Sequence, residues 1–312
     1  MFEFQYVKIL TQALSFIRTK RFLWGFGLFM VWIQFLGLWA FAGTQSKGNE
    51  MVSAQNIDSW FRQHEGLNIT LSLILFVLTV VLFVLYFYSR AGIAASVNDL
   101  IERKPVGFIK GLVRSKTSFW PVFNVWLISL LAFALVLAVL GAPVLYLAAM
   151  NFGFRAILLG MLALLILVPV LLLIEFINVF SVLFATLYRL NLWSSIRASF
   201  DLVSRFWPQL TLLALILFLI NLAVFFAGIF LIFLIGAPVV LLQGLPYHIW
   251  GVSLELAAAV VAAIIGLVLF FLTQAVASGY SKTVWVLAFL ELSKPKKSLE
   301  LEEPVILPEV IT

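Results

Sequence analysis

Apolar residues in this chain fall in long unbroken runs, with short polar stretches between them. Six runs are long enough to cross a hydrocarbon core, which takes roughly 20 apolar residues in a helix. They lie at about 22–42, 68–89, 119–149, 154–188, 206–235 and 253–290. The last four exceed a single crossing, which predicts tilt, kinks or ends that project into water. A β-barrel would instead show alternating segments of about ten residues, and none occur. The pattern predicts an all-α fold, a polytopic transmembrane helical bundle. One transmembrane domain covers 1–292, and a polar tail with three prolines over 293–312 is expected to be disordered.

Shorter stretches with helical periodicity precede the odd-numbered spans. Val7, Leu10, Leu14 and Ile17 form a stripe before the first span. Ile93, Val97, Leu100 and Ile101, then Phe108, Ile109, Leu112 and Val113 beyond Pro105, form an elbow before the third. Leu192, Ile196, Phe200 and Val203 form another before the fifth, with Arg197, Asp201 and Arg205 on a second face. Such patterns predict amphipathic interfacial helices, apolar side in the acyl boundary and basic side toward phosphate.

Two of these units repeat. Phe119-Trp120-Pro121 recurs as Phe206-Trp207-Pro208, and Ile109-Lys110 recurs at the same offset as Ile196-Arg197. Each copy runs on to Gly-Ala-Pro-Val, at Gly141–Val144 and at Gly236–Val239. Proline at the first turn of a span is tolerated, and Trp120 and Trp207 suit the headgroup layer. The Gly-Ala-Pro landmarks are expected to end spans three and five. Residues 236–252 carry two prolines within an apolar stretch and are expected to dip into the outer leaflet.

Charge fixes the expected orientation. Of the twenty lysines and arginines, all but Lys47, Arg62 and Arg155 fall on one side of this topology. By the positive-inside rule that side is cytoplasmic, so both termini are cytoplasmic. The net charge of +6 is therefore expected to meet anionic lipid, not nucleic acid. Lys20-Arg21 followed by an apolar run and Ala40-Phe41-Ala42 mimics a signal peptide. The run is too long for a cleaved leader and is expected to remain as the first span. A lack of cysteine excludes disulfides and thiol chemistry and suits a bacterial inner (cell) membrane.

Chemistry is sparse. No nucleophile elbow, zinc-protease motif, phosphate loop or dinucleotide fingerprint occurs, so no enzyme activity and no cofactor is expected. His64 and His248 stand far apart in outer segments and are expected to be solvated. Glu175 lies 14 residues before Arg189, about 20 Å above the cytoplasmic boundary at 1.5 Å per residue. At that depth a carboxylate must be paired, protonated or wetted. Asn178 shares its face, and Gln34, Asn221 and Gln274 are polar residues in other spans. Glu175, Asn178, Asn221 and Gln274 are the candidate intramembrane site, either a cavity with a proton- or cation-linked group or a hydrogen-bonded cluster. No second acid or buried base is expected at matching depth. Arg18, Lys20, Arg21, Lys110, Arg114, Arg197 and Arg205 are the candidate contacts to anionic lipid.

Lys20-Arg21-Phe22-Leu23-Trp24-Gly25-Phe26-Gly27-Leu28-Phe29 resembles the opening of a group of uncharacterised bacterial membrane proteins. In these an amphipathic helix leads into the first of six spans. Residues 91–100 and 194–203 are similar to the group's two elbows. The group is related to the membrane domain attached to some glycerophosphodiester phosphodiesterases. The resemblance implies a six-span membrane module. It does not imply phosphodiester hydrolysis, because the chain has no room for the catalytic barrel. The expected partners are membrane lipids or an unidentified membrane protein; the expected alternative is transport of a small solute or lipid through a site around Glu175.

Overall fold

The structure is a computed structural model that describes residues 4–32, 65–150, 152–241, 248–249 and 252–293. Gln34, the later part of the first span, most of the outer loop, residues 242–247 and the tail lie outside the described residues. The helices are α1 (Tyr6–Thr19), α2 (Phe22–Trp32), α3 (Glu65–Ile101), α4 (Phe108–Ser115), α5 (Phe119–Ala149), α6 (Gly153–Leu187), α7 (Leu192–Leu241) and α8 (Leu254–Leu292). A 3-10 turn, Lys116–Ser118, joins α4 to α5. Between α7 and α8, β1 (His248–Ile249) and β2 (Val252–Ser253) pair antiparallel.

Five of the described helices, α3 and α5 to α8, are long and apolar enough to cross a membrane, and α2 is a shorter apolar helix. The chain is an integral membrane protein of the helical kind. Helices α5 and α6 form one hairpin and α7 and α8 a second, joined through contact of α6 with α7. Helix α3 packs against both hairpins, and α1 lies across α8.

Burial is concentrated at one end of the bundle. The core draws Phe87 and Val97 from α3, Phe176 and Phe180 from α6, Leu210 and Leu213 from α7, and Val284 and Phe289 from α8. At the other end the same helices expose Leu, Ile, Val and Phe, as in α3 from Leu73 to Val81. Such a surface is at home only in hydrocarbon.

The repeated Phe-Trp-Pro marks a bend in both copies. In α7 the helix is interrupted at Phe206 (φ −118°, ψ 23°), two residues before Pro208. The proline removes an amide donor and its ring crowds the carbonyl four residues back, which is enough to kink a helix. In the first copy the chain turns through the 3-10 segment into α5 just before Pro121.

Three expectations need correction. Helices α5 and α7 run on through Pro143 and Pro238 to Ala149 and Leu241, so Gly-Ala-Pro terminates neither. In hydrocarbon the proline forfeits one backbone bond, whereas stopping the helix exposes a whole turn of unsatisfied carbonyls. The first part of the third-span elbow is no separate helix: α3 continues unbroken to Ile101 and turns Ile93 and Val97 into the protein core. The α7 elbow buries Ser195, Ser199, Leu202 and Val203 and leaves Phe200 exposed. Small serines let it approach α6, where the Ser181 and Ser199 hydroxyls lie 3.0 Å apart.

Candidate functional site

Three of the four candidate intramembrane residues meet around one cavity. Glu175 comes from α6, Asn221 from α7 and Gln274 from α8, and they line a space of about 490 Å³. Ser278, Ser281 and Lys282 of α8 add to the polar wall, and Leu172, Leu217, Phe218, Phe225 and Trp285 make the apolar one. The α8 residues recur every three or four positions, so one face of that helix carries a polar stripe from Gln274 to Lys282.

Each polar group has a distinct setting. The Asn221 amide donates to the Leu217 carbonyl at 2.7 Å and to the Ser281 hydroxyl at 2.9 Å. The Ser281 hydroxyl in turn lies 3.2 Å from Asn221 Oδ1, so the pair clamps α7 to α8. Gln274 Nε2 is buried and finds no acceptor among the described residues. Glu175 is exposed, on the lip between this cavity and a second of about 300 Å³ beside α5.

Asn178, the fourth candidate, stands on the other side of Glu175 and lines only the smaller cavity. Its amide donates to Glu175 Oε2 at 3.3 Å, and its Oδ1 accepts from Arg90 Nη2 at 3.4 Å. The chain Arg90–Asn178–Glu175 thus links α3 to α6.

Arg90 and Lys282 overturn the expectation that no base lies at this depth. The charge pattern of the sequence places both on cytoplasmic loops. Arg90 is only 6% exposed and sits about three turns before the end of α3, with its guanidinium 5.8 Å from the Tyr86 ring centroid. Lys282 stands about three turns before the end of α8 on the cavity wall. Its electrostatic neighbours are Arg90 and Glu175, and among the described residues no acid lies within salt-bridge distance of it. Arg90 and Lys282 also share a small gap of about 20 Å³ with Val179 and Trp285. A signal for Lys282 was present, since it lies inside an apolar run that continues to Leu290.

The seven candidate lipid contacts are all exposed. Arg18, Lys20 and Arg21 lie at the α1–α2 junction, Lys110 and Arg114 on α4, and Arg197 and Arg205 on the first part of α7. Arg114 is also engaged within the protein, in a salt bridge with Asp99 of α3. The apolar faces differ from the expected stripes. Helix α1 buries Ile9, Ala13 and Ile17 and leaves Val7 75% exposed, with Leu14 beside it. Helix α4 buries Gly111 and Ser115 and leaves Ile109 74% exposed, with Val113 beside it. The start of α7 leaves Trp193 68% exposed, one face with Phe200.

Among the described residues no group of three or more histidines or carboxylates is placed to hold a metal ion. No protein-family profile matches the chain, and no curated protein or solved structure matches it either.

Proposed function

We propose that the protein is a non-enzymatic, six-span module of a bacterial inner membrane that gathers anionic lipid through three amphipathic helices on its cytoplasmic side. The observation that carries this reading is the three-way division of α1, α4 and the start of α7. Each buries one face in the bundle, exposes a second apolar pair (Val7 and Leu14, Ile109 and Val113, Trp193 and Phe200), and carries exposed cations beside that pair. A helix with one face for protein, one for acyl chains and one for phosphate lies in the interface plane.

The packing of α2 supports a sixth crossing. Phe26 lies against Gly92, late in α3, and against Gly111 of α4. Helix α3 begins at Glu65, about 40 Å away along its axis at 1.5 Å per residue. Trp32, six residues beyond Phe26, is still about 30 Å from the level of Glu65, which supports a crossing between them. Helix α1 packs on α8, where the Tyr280 hydroxyl donates to the Leu10 carbonyl at 3.4 Å, and this supports a topology with α1 and the end of α8 on one side.

The test is lipid preference in nanodiscs that mix phosphatidylglycerol with phosphatidylcholine. Wild-type protein should be stabilised progressively by the anionic lipid. A variant carrying Lys110→Ala, Arg197→Ala and Arg205→Ala should lose most of that dependence. A wild type indifferent to headgroup charge sinks the reading.

The cavity favours a second reading, a transporter of a lipid or small solute whose site includes Glu175, Asn221 and Gln274, with Asn178 holding Glu175. In that case Glu175→Gln should abolish flux in reconstituted vesicles while leaving lipid preference intact.

A further inference from the structure

The cavity between α6, α7 and α8 has an unequal balance of charge. Lys282 projects from its wall, Arg90 lies behind Lys282 across the small shared gap, and Glu175 is the acid that faces them. Two basic side chains stand against one acidic one, so the polar wall is rich in donors. Asn178 uses its two ends to tie Arg90 to Glu175, so among the described residues Lys282 is the basic group of the cavity with no hydrogen-bonded partner. Gln274 Nε2, on the same α8 stripe, is a second donor with no acceptor. Unpaired donors in a low-dielectric setting are costly, and an anion that accepts from both relieves the cost.

The opposite wall is hydrocarbon. Leu172, Phe218 and Phe225 continue the cavity toward the end of the bundle where α7 exposes Phe226 and Phe230. A ligand that satisfies both walls has one negatively charged head and an acyl or alkyl chain.

From this geometry we infer that the cavity is a binding site for an anionic single-headed amphiphile, a phosphate or carboxylate on a hydrocarbon chain, with the head between Lys282 and Gln274 and the chain along α7. The inference builds on the second reading, that the cavity holds a ligand, but does not need transport. It is also separate from the interfacial contacts, which use other cations.

Three probes decide it by native mass spectrometry from a neutral maltoside detergent. Dodecyl phosphate and dodecylphosphocholine share a tail and differ in head charge, and inorganic phosphate has the head alone. The wild type should retain one dodecyl phosphate at least tenfold better than dodecylphosphocholine, and inorganic phosphate at equal concentration should not displace it. Lys282→Met should lose that tenfold preference, Lys282→Arg should keep it, and the triple variant at Lys110, Arg197 and Arg205 should keep it. Equal retention of the two amphiphiles overturns the inference and leaves a cavity blind to charge. Retention of neither overturns the inference and the cavity reading together. Displacement by inorganic phosphate removes the hydrocarbon chain from the argument, and loss in the triple variant moves the site to the interface; either result overturns it. The headgroup comparison uses the wild-type chain, so it decides the matter even if Lys282→Met fails to fold.

Discussion

Gly27 of α2 lies so close to Ala275 of α8 that a Cβ on Gly27 would stand 2.9 Å from the Ala275 carbonyl carbon and 3.0 Å from the Gly279 amide nitrogen. Backbone, not a movable side chain, fills that space. Gly279 shows the reciprocal relation, its own absent Cβ falling 3.1 Å from the Leu23 carbonyl oxygen. The two helices thus cross backbone to backbone, the contact that small residues permit inside a membrane.

Gly27→Ala should therefore force α2 away from α8. Overpacking of this kind costs about 1–3 kcal/mol, and more where backbone must move. The melting temperature in detergent should fall by several degrees. Gly141→Ala is the matched control, because a Cβ there meets nothing within 4 Å. Replacing glycine by alanine in an open helical position should be neutral or stabilising by up to about 1 kcal/mol. Equal melting temperatures for Gly27→Ala and wild type would count against the crossing.

The loop from Glu102 to Gly107 is held at both ends by ion pairs. Asp99 binds Arg114 across the loop, and Lys104 binds Glu102, which also accepts from Asn98 at 2.7 Å. The bonds from Lys104 and Asn98 hold the Glu102 carboxyl below its usual range. A depressed folded value means that this tether is complete above the ordinary carboxylate value and is lost as pH falls through the depressed one. Protection of the amides of residues 102–107, taken relative to the intrinsic exchange rate at each pH, should fall on acidification through that window. Glu102→Gln should show the faster exchange already at neutral pH, and Asp99→Asn should extend it into α4. Exchange that ignores both substitutions would contradict the tether.

The spans were legible because bilayer thickness imposes a minimum length on every apolar run. Glu175, Asn221 and Gln274 were legible because a polar residue inside such a run stands out. Their meeting around one cavity was not, since three separate helices carry no record of which faces turn together. Arg90 and Lys282 escaped because the positive-inside count treats any cation near a span end as solvated. Yet after Arg90 no proline interrupts the chain until Pro105, and Lys282 sits within an apolar run. The interfacial stripes differ from the sequence pattern for another reason. Hydrophobicity does not distinguish a protein neighbour from a lipid one, so exposed Val7 and Leu14 were grouped with buried Ile17. Ala13, Ser195 and Ser199 are buried because they are small, which an apolar count does not see.

Asn221 and Ser281 exchange hydrogen bonds in both directions between α7 and α8. Hydrogen bonds between transmembrane helices average about 0.6 kcal/mol, because the separated helices find other partners. Ser281→Ala should lower stability by about that amount, a shift of a few degrees at most. Asn221→Leu should cost a similar amount, and the double variant should cost less than the two single effects combined. Strict additivity would mean that the two side chains do not interact.

The absence of cysteine makes the proposed topology directly measurable, because any cysteine introduced is the sole thiol in the chain. In the six-span arrangement Lys110 and Arg197 lie on the cytoplasmic side and His248, in β1, on the opposite side. His248→Cys should react with a membrane-impermeant maleimide in intact spheroplasts. Lys110→Cys and Arg197→Cys should react only after the membrane is opened. Lys8→Cys on α1, which packs on α8, and Ser293→Cys beyond α8 should behave like the cytoplasmic pair in the proposed topology. Labelling of Lys8→Cys in intact cells without Ser293→Cys would remove α2 as a crossing and leave five spans. Reversal of every site would keep six spans but turn the basic helices away from the anionic leaflet, and the lipid-gathering role would fail with it.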